Sequence, residues 1–422
     1  MTKRQITACI GCAGKQIDAL TKKAMKNKTQ REPQNPKISK DKRVLVLDGF
    51  CKQCLPYIRA FRDLGCAVTV LCNSRLDCGY ASRLPAEKIL AESDWEDQGR
   101  TEQTIRNLIC TGKYDIVVPL FDATAQLLAH EKEALSKYAY LCVNSSDIFD
   151  LAFDKNEVMR VCMERGIPCP KTLIEVNCPE QILKSDLQFP IIIKPRSMYG
   201  ARGYHRFDSV DELERYVSEK HLDLRDYVIQ ELIPSGSKLI SGNYYIDCGG
   251  EIKSCFFYVS EHIFPVSAGT STMNGLIVRE DAQEACERLI HAFGLRGSVS
   301  FDLMIDCRDD TAKIIEINLR PAHAVAIGFE AGVNQARQML EDAAGVPVSP
   351  FSIQEPGICL RITQTDILWF LSCPDRMKYT AKKLGYHHVK DQMFFWDDPL
   401  PWFAFLISGI KDFRRKMAEK RQ

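Results

Sequence analysis

Short apolar runs alternate with helical segments between residues 43 and 141, and this alternation restricts the fold more than any other feature. RVLVLDG, AVTVLCN and YDIVVPLFD read as buried strands, and the segments between and after them have helical periodicity. Strands that alternate with helices predict an open parallel sheet, so residues 43–150 are expected to form an α/β domain. Ligands of such sheets bind beyond the carboxyl ends of the strands, where Asp48, Gly49 and Asp122 fall. Asp122 is either a pocket residue or the cap of the next helix.

The segment AKIIEINLRP alternates apolar and polar residues. In an extended strand its apolar residues share one face, while Glu316, Asn318 and Arg320 share the other. GSVSFDLMID is a second alternating strand, and the turn CRDDT brings Asp302 nearly opposite Glu316. Facing carboxylates repel each other, and Mg²⁺ is typically held by one or two carboxylates together with phosphates. Asp302, Glu316 and Asn318 are therefore candidate magnesium ligands; the alternative is a polar strand face turned to solvent.

A lysine and a glycine-containing loop follow another apolar strand. In FPIIIKPRSMYGARGYHRF, Lys194 ends the strand, and Gly200 and Gly203 lie in the loop behind it. Backbone N–H groups can approach phosphate oxygens in such a loop, and an ammonium group neutralises their charge. The pattern therefore suits a polyphosphate, although an ordinary surface hairpin would have a similar sequence.

The order of these motifs resembles that of the ATP-grasp superfamily, and the resemblance covers residues 44 to about 345. The shared order is an α/β domain, an Asp-Lys pair opening a helix, the lysine strand with its loop, a Gln-Glu hinge, a late acid and Glu-x-Asn-x-Arg. The resemblance implies an ATP-binding fold like that of the carbamoyl phosphate synthetase large chain, with a two-lobed ATP-grasp domain over residues 151–345. A Trp-x-Asp-Pro-x-Pro segment in FFWDDPLP looks like a carboxylate-amine ligase branch of the superfamily.

The resemblance also implies roles for individual residues. Phosphate contacts fall to Lys155 and Lys194. The loop that closes over the phosphates spans residues 197–203 and includes Ser197, Gly200 and Gly203. The hinge residues that meet adenine are Glu231, Leu232 and Ile233. The magnesium ligands are Asp302, Glu316 and Asn318. Arg320 faces the transferred phosphoryl group or the substrate carboxylate, and Lys194 and Arg320 assist the chemical step.

The activity implied by the resemblance is an ATP- and Mg²⁺-dependent ligase. A small-molecule carboxylate is activated as an acyl phosphate and attacked by a small-molecule amine, with two Mg²⁺ ions, or Mn²⁺ in their place. An amino acid or a small peptide-like acid is the preferred substrate class. The sequence departs from many relatives at the position that would bind the ribose. Those relatives have a glutamate shortly after the hinge, whereas here no acid occurs between Glu231 and Asp247. A non-catalytic ATP-binding protein and a carboxylase-type enzyme that activates bicarbonate remain alternatives.

Charge is distributed unevenly along the 422 residues. The chain has a formal charge of +1, but residues 1–43 carry 12 Lys and Arg against 3 Asp and Glu, and residues 411–422 carry 6 against 2. Residues 1–42 are expected to form a basic, loosely ordered arm, and residues 346–422 an extension that packs on the core. The aromatic and basic C-terminal segment could alternatively lie weakly on a membrane surface. No nucleic-acid partner is expected, and the protein is predicted to be cytoplasmic, since it lacks a long apolar run and a signal-peptide pattern.

The 18 cysteines predict no disulfide framework in a reducing compartment. Two CxxC pairs, Cys9/Cys12 and Cys51/Cys54, raise the possibilities of a zinc site and of a redox pair. The 38 residues between the pairs exceed the usual zinc-ribbon spacing, which favours incidental cysteines.

Overall fold

A parallel sheet of five strands forms the first part of the computed structural model, which describes residues 41–91, 98–197, 203–266, 269–353, 357–386 and 388–419. Its strands are β1 (Arg43–Val46), β2 (Ala67–Cys72), β3 (Glu87–Leu90), β4 (Ile116–Val118) and β5 (Tyr140–Leu141), in the order β3-β2-β1-β4-β5. The intervening helices are α1 (Cys54–Asp63), α2 (Cys78–Ala81), α3 (Gln98–Cys110), α4 (Asp122–His130) and α5 (Lys132–Leu135). The predicted open parallel α/β region is therefore confirmed.

A small antiparallel sheet follows. Helices α6 (Ser146–Phe153) and α7 (Lys155–Glu164) lead into β6 (Thr172–Leu173), α8 (Glu180–Leu183), β7 (Ile191–Pro195), β8 (His205–Phe207), α9 (Val210–Lys220), a 3₁₀ turn (Leu224–Asp226) and β9 (Tyr227–Glu231). The strand order is β6-β9-β7-β8. Asp154 caps α7 by accepting a hydrogen bond from the Asn156 backbone N–H, and Gly166 ends that helical segment with a positive φ of 60°.

A larger sheet of seven strands carries the rest of the core. Its strands are β10 (Lys238–Ile246), β11 (Ile252–Phe264), β12 (Thr270–Ile277), β13 (Gly297–Ile305), β14 (Ala312–Asn318), β15 (Cys359–Arg361) and β16 (Val389–Asp391), in the order β14-β13-β10-β11-β12-β15-β16. Helix α10 (Glu280–Phe293) covers one face of this sheet, while α11 (Ala326–Glu330) and α12 (Gln335–Ala343) follow β14. Together with the small sheet, it provides the two lobes that the sequence predicts.

The C-terminal segment contributes α13 (Thr363–Ser372), a 3₁₀ turn (Arg376–Lys378) and α14 (Leu400–Glu419). Helix α13 is attached to β11 through His262, whose Nδ1 lies 2.7 Å from the Asp366 carboxylate and whose Nε2 lies 2.7 Å from the Tyr379 carbonyl oxygen. The buried imidazole stacks on Trp369 at 3.4 Å between ring centroids. These contacts hold part of the extension against the large sheet.

The predicted boundaries at residues 43, 150, 345 and 422 remain predictions. The basic arm predicted for residues 1–42 lies almost entirely outside the described residues, and so do Cys9 and Cys12. Within the described ranges, the cysteines are free thiols. No helix among the described residues combines the length and the apolar character that crossing a membrane requires.

Candidate active site

Two carboxylates face each other across neighbouring strands at the centre of the candidate site. Asp302 on β13 is the direct cross-strand partner of Glu316 on β14, and the register shifts immediately after this pair. Burial raises the pKa of Asp302, and the charge of Glu316 raises it further. Asn318 donates a hydrogen bond from Nδ2 to Asp302 at 3.2 Å. The alternation of apolar and polar residues therefore predicted correctly that these three side chains lie next to one another.

Two lysines from the small lobe and its leading helix approach the same acids. Lys155 Nζ lies 3.5 Å from a carboxylate oxygen of Glu316. Burial lowers the pKa of Lys194 to about 8, although the charge of Glu316 opposes this effect. Burial alone would raise the pKa of Glu316, but the charges of Lys155 and Lys194 outweigh it and lower that pKa below its usual value. Glu316 is therefore the ionised member of the acid pair, and Asp302 is the one that more readily binds a proton.

Two neighbouring cavities meet at this acid pair. The first has a volume of about 350 Å³ and the second about 510 Å³, and both are lined by Leu239, Asp302 and Glu316. A molecule in one cavity is therefore separated from a molecule in the other by the carboxylates themselves. This arrangement allows a group to pass between two bound molecules at the acid pair.

The first cavity has mainly apolar walls. Apart from the two acids, its lining includes Lys155, Ile192, Lys194, Tyr204, Gln230, Glu231, Leu232, Ile233, Met304 and Ile315. Such walls suit a flat, partly apolar ring, and the two lysines lie at the end next to the acids. The hinge residues of the sequence prediction are brought together here with the predicted phosphate-binding lysines.

Glu231 lines the first cavity and is also held by contacts within the fold, while its contact with adenine stays a prediction. Its carboxylate forms an ion pair of 2.8 Å with Arg308 and accepts a hydrogen bond from the Lys171 backbone N–H at 3.0 Å. Lys313 Nζ lies 3.8 Å away. The side chain thus joins the hinge to the turn between β13 and β14, which leaves Leu232 and Ile233 as the hinge residues that contribute apolar walls.

The predicted closing loop is described only at its two ends. Ser197 is exposed after β7, and Gly203 has a positive φ of 71°. A Cβ atom at Gly203 would lie 2.8 Å from Pro195, so this position requires glycine both for its backbone and for its close approach to the strand. Gly200 lies outside the described residues.

The second cavity has several hydroxyl-bearing residues in its lining. These are Ser241, Tyr258, Ser260, Thr270, Ser271 and Ser300. Asn318, Arg320 and His323 complete the polar part of the lining, and Phe264 and Pro265 supply apolar contacts. A cavity of this composition suits a small polar molecule with several hydrogen-bonding groups.

Arg320 lines the second cavity but is held by a partner from the N-terminal sheet. Its Nε and Nη2 each donate to a different oxygen of Asp122 at 2.9 Å, and its Nη1 donates to the Pro321 carbonyl oxygen at 3.2 Å. Both members of the ion pair are buried. Asp122 therefore holds Arg320 in position, a contact that the sequence did not indicate. The role of Arg320 toward substrate stays a prediction.

Asp48 supports the site without lining either cavity. A single oxygen of its carboxylate, Oδ2, accepts hydrogen bonds from the Leu120 N–H, the Phe121 N–H and the Thr124 hydroxyl. Burial raises the pKa of Asp48 to about 6, although these hydrogen bonds act in the opposite direction. The side chain thus fastens the end of β1 to the start of α4, where Asp122 begins the helix.

Sequence reasoning missed His323. Gln53 Nε2 donates to the Leu120 carbonyl oxygen at 2.9 Å, so Gln53 Oε1 is the atom that faces His323 Nδ1, at 3.4 Å. The imidazole therefore carries its proton on Nδ1 and keeps an unprotonated Nε2. The ring is exposed and lines the second cavity. In the sequence, only the position of this histidine three residues after Arg320 could have pointed to the site.

The acid pair fits a magnesium ion that is shared with phosphates. In the part of the chain that the structure describes, no three His, Cys, Asp or Glu side chains gather into a complete metal site. Asp302 and Glu316 nevertheless face each other, and the pKa of Asp302 is raised because burial and its neighbour disfavour a second negative charge. Two carboxylates and an amide oxygen from Asn318 are the hard donors that Mg²⁺ accepts, with phosphates and water completing its coordination.

Comparison with known proteins agrees with this geometry. Residues 152–323 match the family model described as the ATP-grasp domain. The chain therefore contains an ATP-grasp domain, as its motifs predicted.

Two curated relatives are similar to part of this chain. D-aspartate ligase from Enterococcus faecium is 26% identical in an alignment of 249 residues that covers 54% of this chain and 58% of that protein. The carbamoyl phosphate synthase large chain from Neisseria meningitidis is 23% identical in an alignment of 230 residues that covers 51% of this chain and 20% of that protein. The match thus spans little more than half of the first relative and a fifth of the second.

A solved structure extends the likeness beyond the ATP-grasp domain. Biotin carboxylase from Campylobacter jejuni is similar with a TM-score of 0.61, over 73% of this chain and 72% of that chain, at 13% sequence identity. This similarity shows a common fold over about three quarters of the chain.

Proposed function

We propose that the protein is an ATP- and Mg²⁺-dependent ligase that joins a carboxylate to an amine. The observation that carries this proposal is the pair of cavities that meet at Asp302 and Glu316, with Lys155 and Lys194 beside them. One cavity suits a purine nucleotide and the other a small polar acid. A phosphoryl group that passes from the first molecule to the second crosses the most strongly charged point of the site.

The nucleotide is proposed to occupy the 350 Å³ cavity. Its base would lie against Leu232 and Ile233, and its phosphates would extend toward Lys155 and Lys194. The loop of residues 197–203, between Ser197 and Gly203, would cover the phosphates and exclude water. Water must be kept out because it would hydrolyse an acyl phosphate before an amine could attack it.

Asp302, Glu316 and Asn318 would hold magnesium together with the phosphates. When bound, magnesium supplies positive charge that offsets the repulsion between an attacking carboxylate and the triphosphate. We further propose that two ions bind and that Mn²⁺ can replace Mg²⁺. The carboxylates of this chain place that charge at the boundary between the cavities.

The first proposed step activates the acid in the 510 Å³ cavity. A carboxylate oxygen attacks the γ-phosphorus of ATP, the bond from that phosphorus to the bridging oxygen breaks, and ADP leaves. Lys194 stabilises the charge on the transferred group, and the remaining N–H of Arg320 can orient the acid. The product of this step is an acyl phosphate.

The second proposed step forms the amide. The amine nitrogen attacks the carbonyl carbon, the bond to the phosphate oxygen breaks, and phosphate leaves with the electron pair. The nitrogen must also lose a proton, and His323 Nε2 is an unprotonated acceptor on the cavity wall. The resemblance to D-aspartate ligase supports an amino acid as one of the two substrates.

The proposal also covers the partners of the protein and its location in the cell. Small-molecule acids and amines are the substrates, and the cytoplasm, where ATP is available, is the proposed location. The C-terminal segment has several exposed apolar side chains that could rest weakly on a membrane surface: Ile367, Leu368, Phe370, Leu371, Trp396, Leu400, Phe403, Leu406, Ile407 and Ile410. Basic residues follow them in the sequence and would lie near anionic headgroups.

The proposal is tested by incubating the purified protein with ATP, Mg²⁺ and pools of amino acids and small carboxylic acids. ADP release is measured for the wild type and for Glu316→Gln, with the exposed Glu219→Gln as the matched control. ADP release that depends on a pool, persists in Glu219→Gln and disappears in Glu316→Gln supports the ligase. Mass spectrometry of the active pool then identifies the amide.

Two other outcomes separate the alternatives. Tight ATP binding without ADP release from any pool would indicate a non-catalytic ATP-binding protein. ADP release that requires bicarbonate, and proceeds without an amine, would indicate a carboxylase-type enzyme. Either result would replace the proposed function.

A further inference from the structure

The two lysines beside the acid pair belong to elements that pack in different hydrophobic clusters. Lys155 is the first residue of α7, and Met159 of that helix is buried in the main core cluster, which includes the large sheet. Lys194 lies on β7, where Ile193 belongs to the separate cluster of the small lobe. The relative position of the two ammonium groups therefore depends on the contacts that join α7 to β7.

An ion pair between Asp154 and Arg196 lies at this junction. Arg196 donates from Nε to Asp154 Oδ1 at 3.2 Å and from Nη2 to Asp154 Oδ2 at 2.5 Å. Asp154 immediately precedes Lys155, and Arg196 follows Lys194 by two residues. The two side chains are 18% and 32% exposed. Most exposed ion pairs contribute little, but a partly buried pair with two-point geometry fixes both distance and orientation.

Backbone hydrogen bonds reinforce the same junction. The Lys155 N–H donates to the Arg196 carbonyl oxygen at 3.1 Å, and the Arg196 N–H donates to the Asp226 carbonyl oxygen at 3.0 Å. Arg196 Nη1 also donates to the Arg225 carbonyl oxygen at 3.3 Å. Because these carbonyl groups belong to the 3₁₀ turn before β9, Arg196 joins the start of α7 to β7 and to the strand that leads into the hinge.

The Asp154 carboxylate also orients the first turn of α7. Its Oδ1 accepts the Asn156 N–H at 2.9 Å, which caps the helix from which Lys155 projects. Asp154 and Arg196 are not among the residues that line the two cavities of the candidate site. Any effect of the pair on a bound nucleotide must therefore pass through lining residues such as Lys155 and Lys194.

The two lysines need such a support because they repel each other. Burial lowers the pKa of Lys194 to about 8, and the nearby charge of Lys155 acts in the same direction. Glu316 attracts both lysines, with Lys155 Nζ at 3.5 Å, but in the proposed site this carboxylate also faces magnesium. Contacts on the far side of the lysines must then hold them in place, and the Asp154–Arg196 pair is such a contact.

We infer that the Asp154–Arg196 ion pair sets the relative position of the two lysines that contact the nucleotide phosphates. The inference rests on the proposed function, because it requires a nucleotide in the first cavity. Asp154 and Arg196 are positioning residues, which hold the start of α7 against the end of β7 without touching the nucleotide. Loss of the pair should weaken the contacts to the phosphates and leave the apolar walls around the base unchanged.

Two single variants remove the pair in different ways. Asp154→Asn keeps a side-chain oxygen for the helix cap and removes the charge, while Arg196→Met removes the guanidinium and keeps an unbranched stem. The affinities of the full chain for ATP and for AMP are measured with Mg²⁺ by displacement of a labelled ATP analogue. AMP lacks the two phosphates that lie farthest from the base. Each variant should weaken ATP binding about tenfold, as expected for a disturbed hydrogen bond to a charged group, and AMP binding less than about twofold.

The double variant Asp154→Asn, Arg196→Met shows whether the two residues act together. If they act as one pair, the double variant should bind ATP about tenfold more weakly than the wild type, whereas independent effects would multiply to about 100-fold. Arg206→Met is the matched control, because Arg206 pairs with Asp208 on the exposed surface of the same lobe and should bind both nucleotides like the wild type. Thermal unfolding followed by circular dichroism identifies the folded variants, and Asp154→Asn carries the test if Arg196→Met does not fold.

The outcomes separate this inference from the proposed function. ATP affinity that stays unchanged in the folded single variants, a loss that multiplies in the double variant, or an equal loss for AMP and ATP would each overturn the inference. The proposed function would survive these results, since the wild type would still bind ATP. A wild type that binds neither the labelled analogue nor ATP would contradict the proposed function itself, and the inference with it.

Discussion

Arg320 and Asp122 form a two-point ion pair, with both nitrogen–oxygen distances at 2.9 Å, between residues 198 positions apart in the chain. Arg320 lies two residues after the end of β14, and Asp122 is the first residue of α4 in the N-terminal region. Both side chains are buried, so each charge depends on the other for its solvation. This contact attaches one wall of the second cavity to the N-terminal region.

Removing one member of this pair should strongly destabilise the fold. We expect Asp122→Asn to lower the free energy of unfolding by about 3–5 kcal/mol, because it leaves a buried guanidinium without its counter-charge. Urea denaturation followed by circular dichroism measures this change. Asp208→Asn is the control, since Asp208 pairs with Arg206 on the exposed surface and should lose less than about 1 kcal/mol. Equal losses in both variants would contradict a special role for the buried pair.

Lys194 should contribute to nucleotide binding through its charge. We expect Lys194→Met to weaken ATP binding roughly 10- to 100-fold, since it removes a charged donor that faces the proposed phosphates. Fluorescence titration with a labelled ATP analogue measures the affinity. Lys220→Met, at the exposed end of α9, should bind ATP like the wild type. Unchanged affinity in Lys194→Met would remove this lysine from the phosphate site.

His323 should act after the acid has been activated. Replacing it with glutamine is expected to slow amide formation by about 10²- to 10⁴-fold, the usual range for a general base. ADP release that depends on the acid should continue, because the first step does not use this residue. Comparing amide and ADP yields in one reaction separates the two effects. A parallel loss of both products would show that His323 supports the site as a whole.

Asp48 should make stability depend on pH in a defined direction. Its pKa is raised from 3.8 to about 6, so its contribution to stability is fully present below pH 3.8 and is lost as pH rises through 6. Asp48→Asn keeps an acceptor for the three donors and removes the ionisation. We expect the wild type to lose about 3 kcal/mol relative to this variant between pH 3.5 and pH 7. Urea titrations at several pH values measure the difference, and a constant difference would contradict the burial of an ionising carboxylate.

The exposed apolar side chains of the C-terminal segment should bind anionic vesicles weakly. Cosedimentation with vesicles of phosphatidylcholine and phosphatidylglycerol is expected for the wild type at low salt, and it should fall as salt screens the basic residues. The double variant Phe403→Ser, Ile407→Ser should lose this binding, while Leu183→Ser, which changes an exposed leucine in the small lobe, should keep it. Equal binding by all three proteins, or none by the wild type, would exclude the membrane contact.

The sequence by itself determined those features that depend on local periodicity. Side chains alternate between the faces of a strand, so the pattern of β13 and β14 was enough to place Asp302 opposite Glu316 with Asn318 beside them. Alternating strands and helices likewise predicted the parallel N-terminal sheet. The order of the motifs predicted the ATP-grasp domain, which the match over residues 152–323 confirms.

Only the tertiary structure decided how separate regions meet. Arg320 pairs with Asp122, Glu231 pairs with Arg308 rather than facing a ligand alone, and Gln53 orients His323 from 270 positions away. None of these contacts follows from spacing along the chain, since each depends on how lobes and sheets pack against one another. Local periodicity sets the direction of a side chain within its own strand or helix, whereas its partner across the molecule is set by the packing of the whole fold.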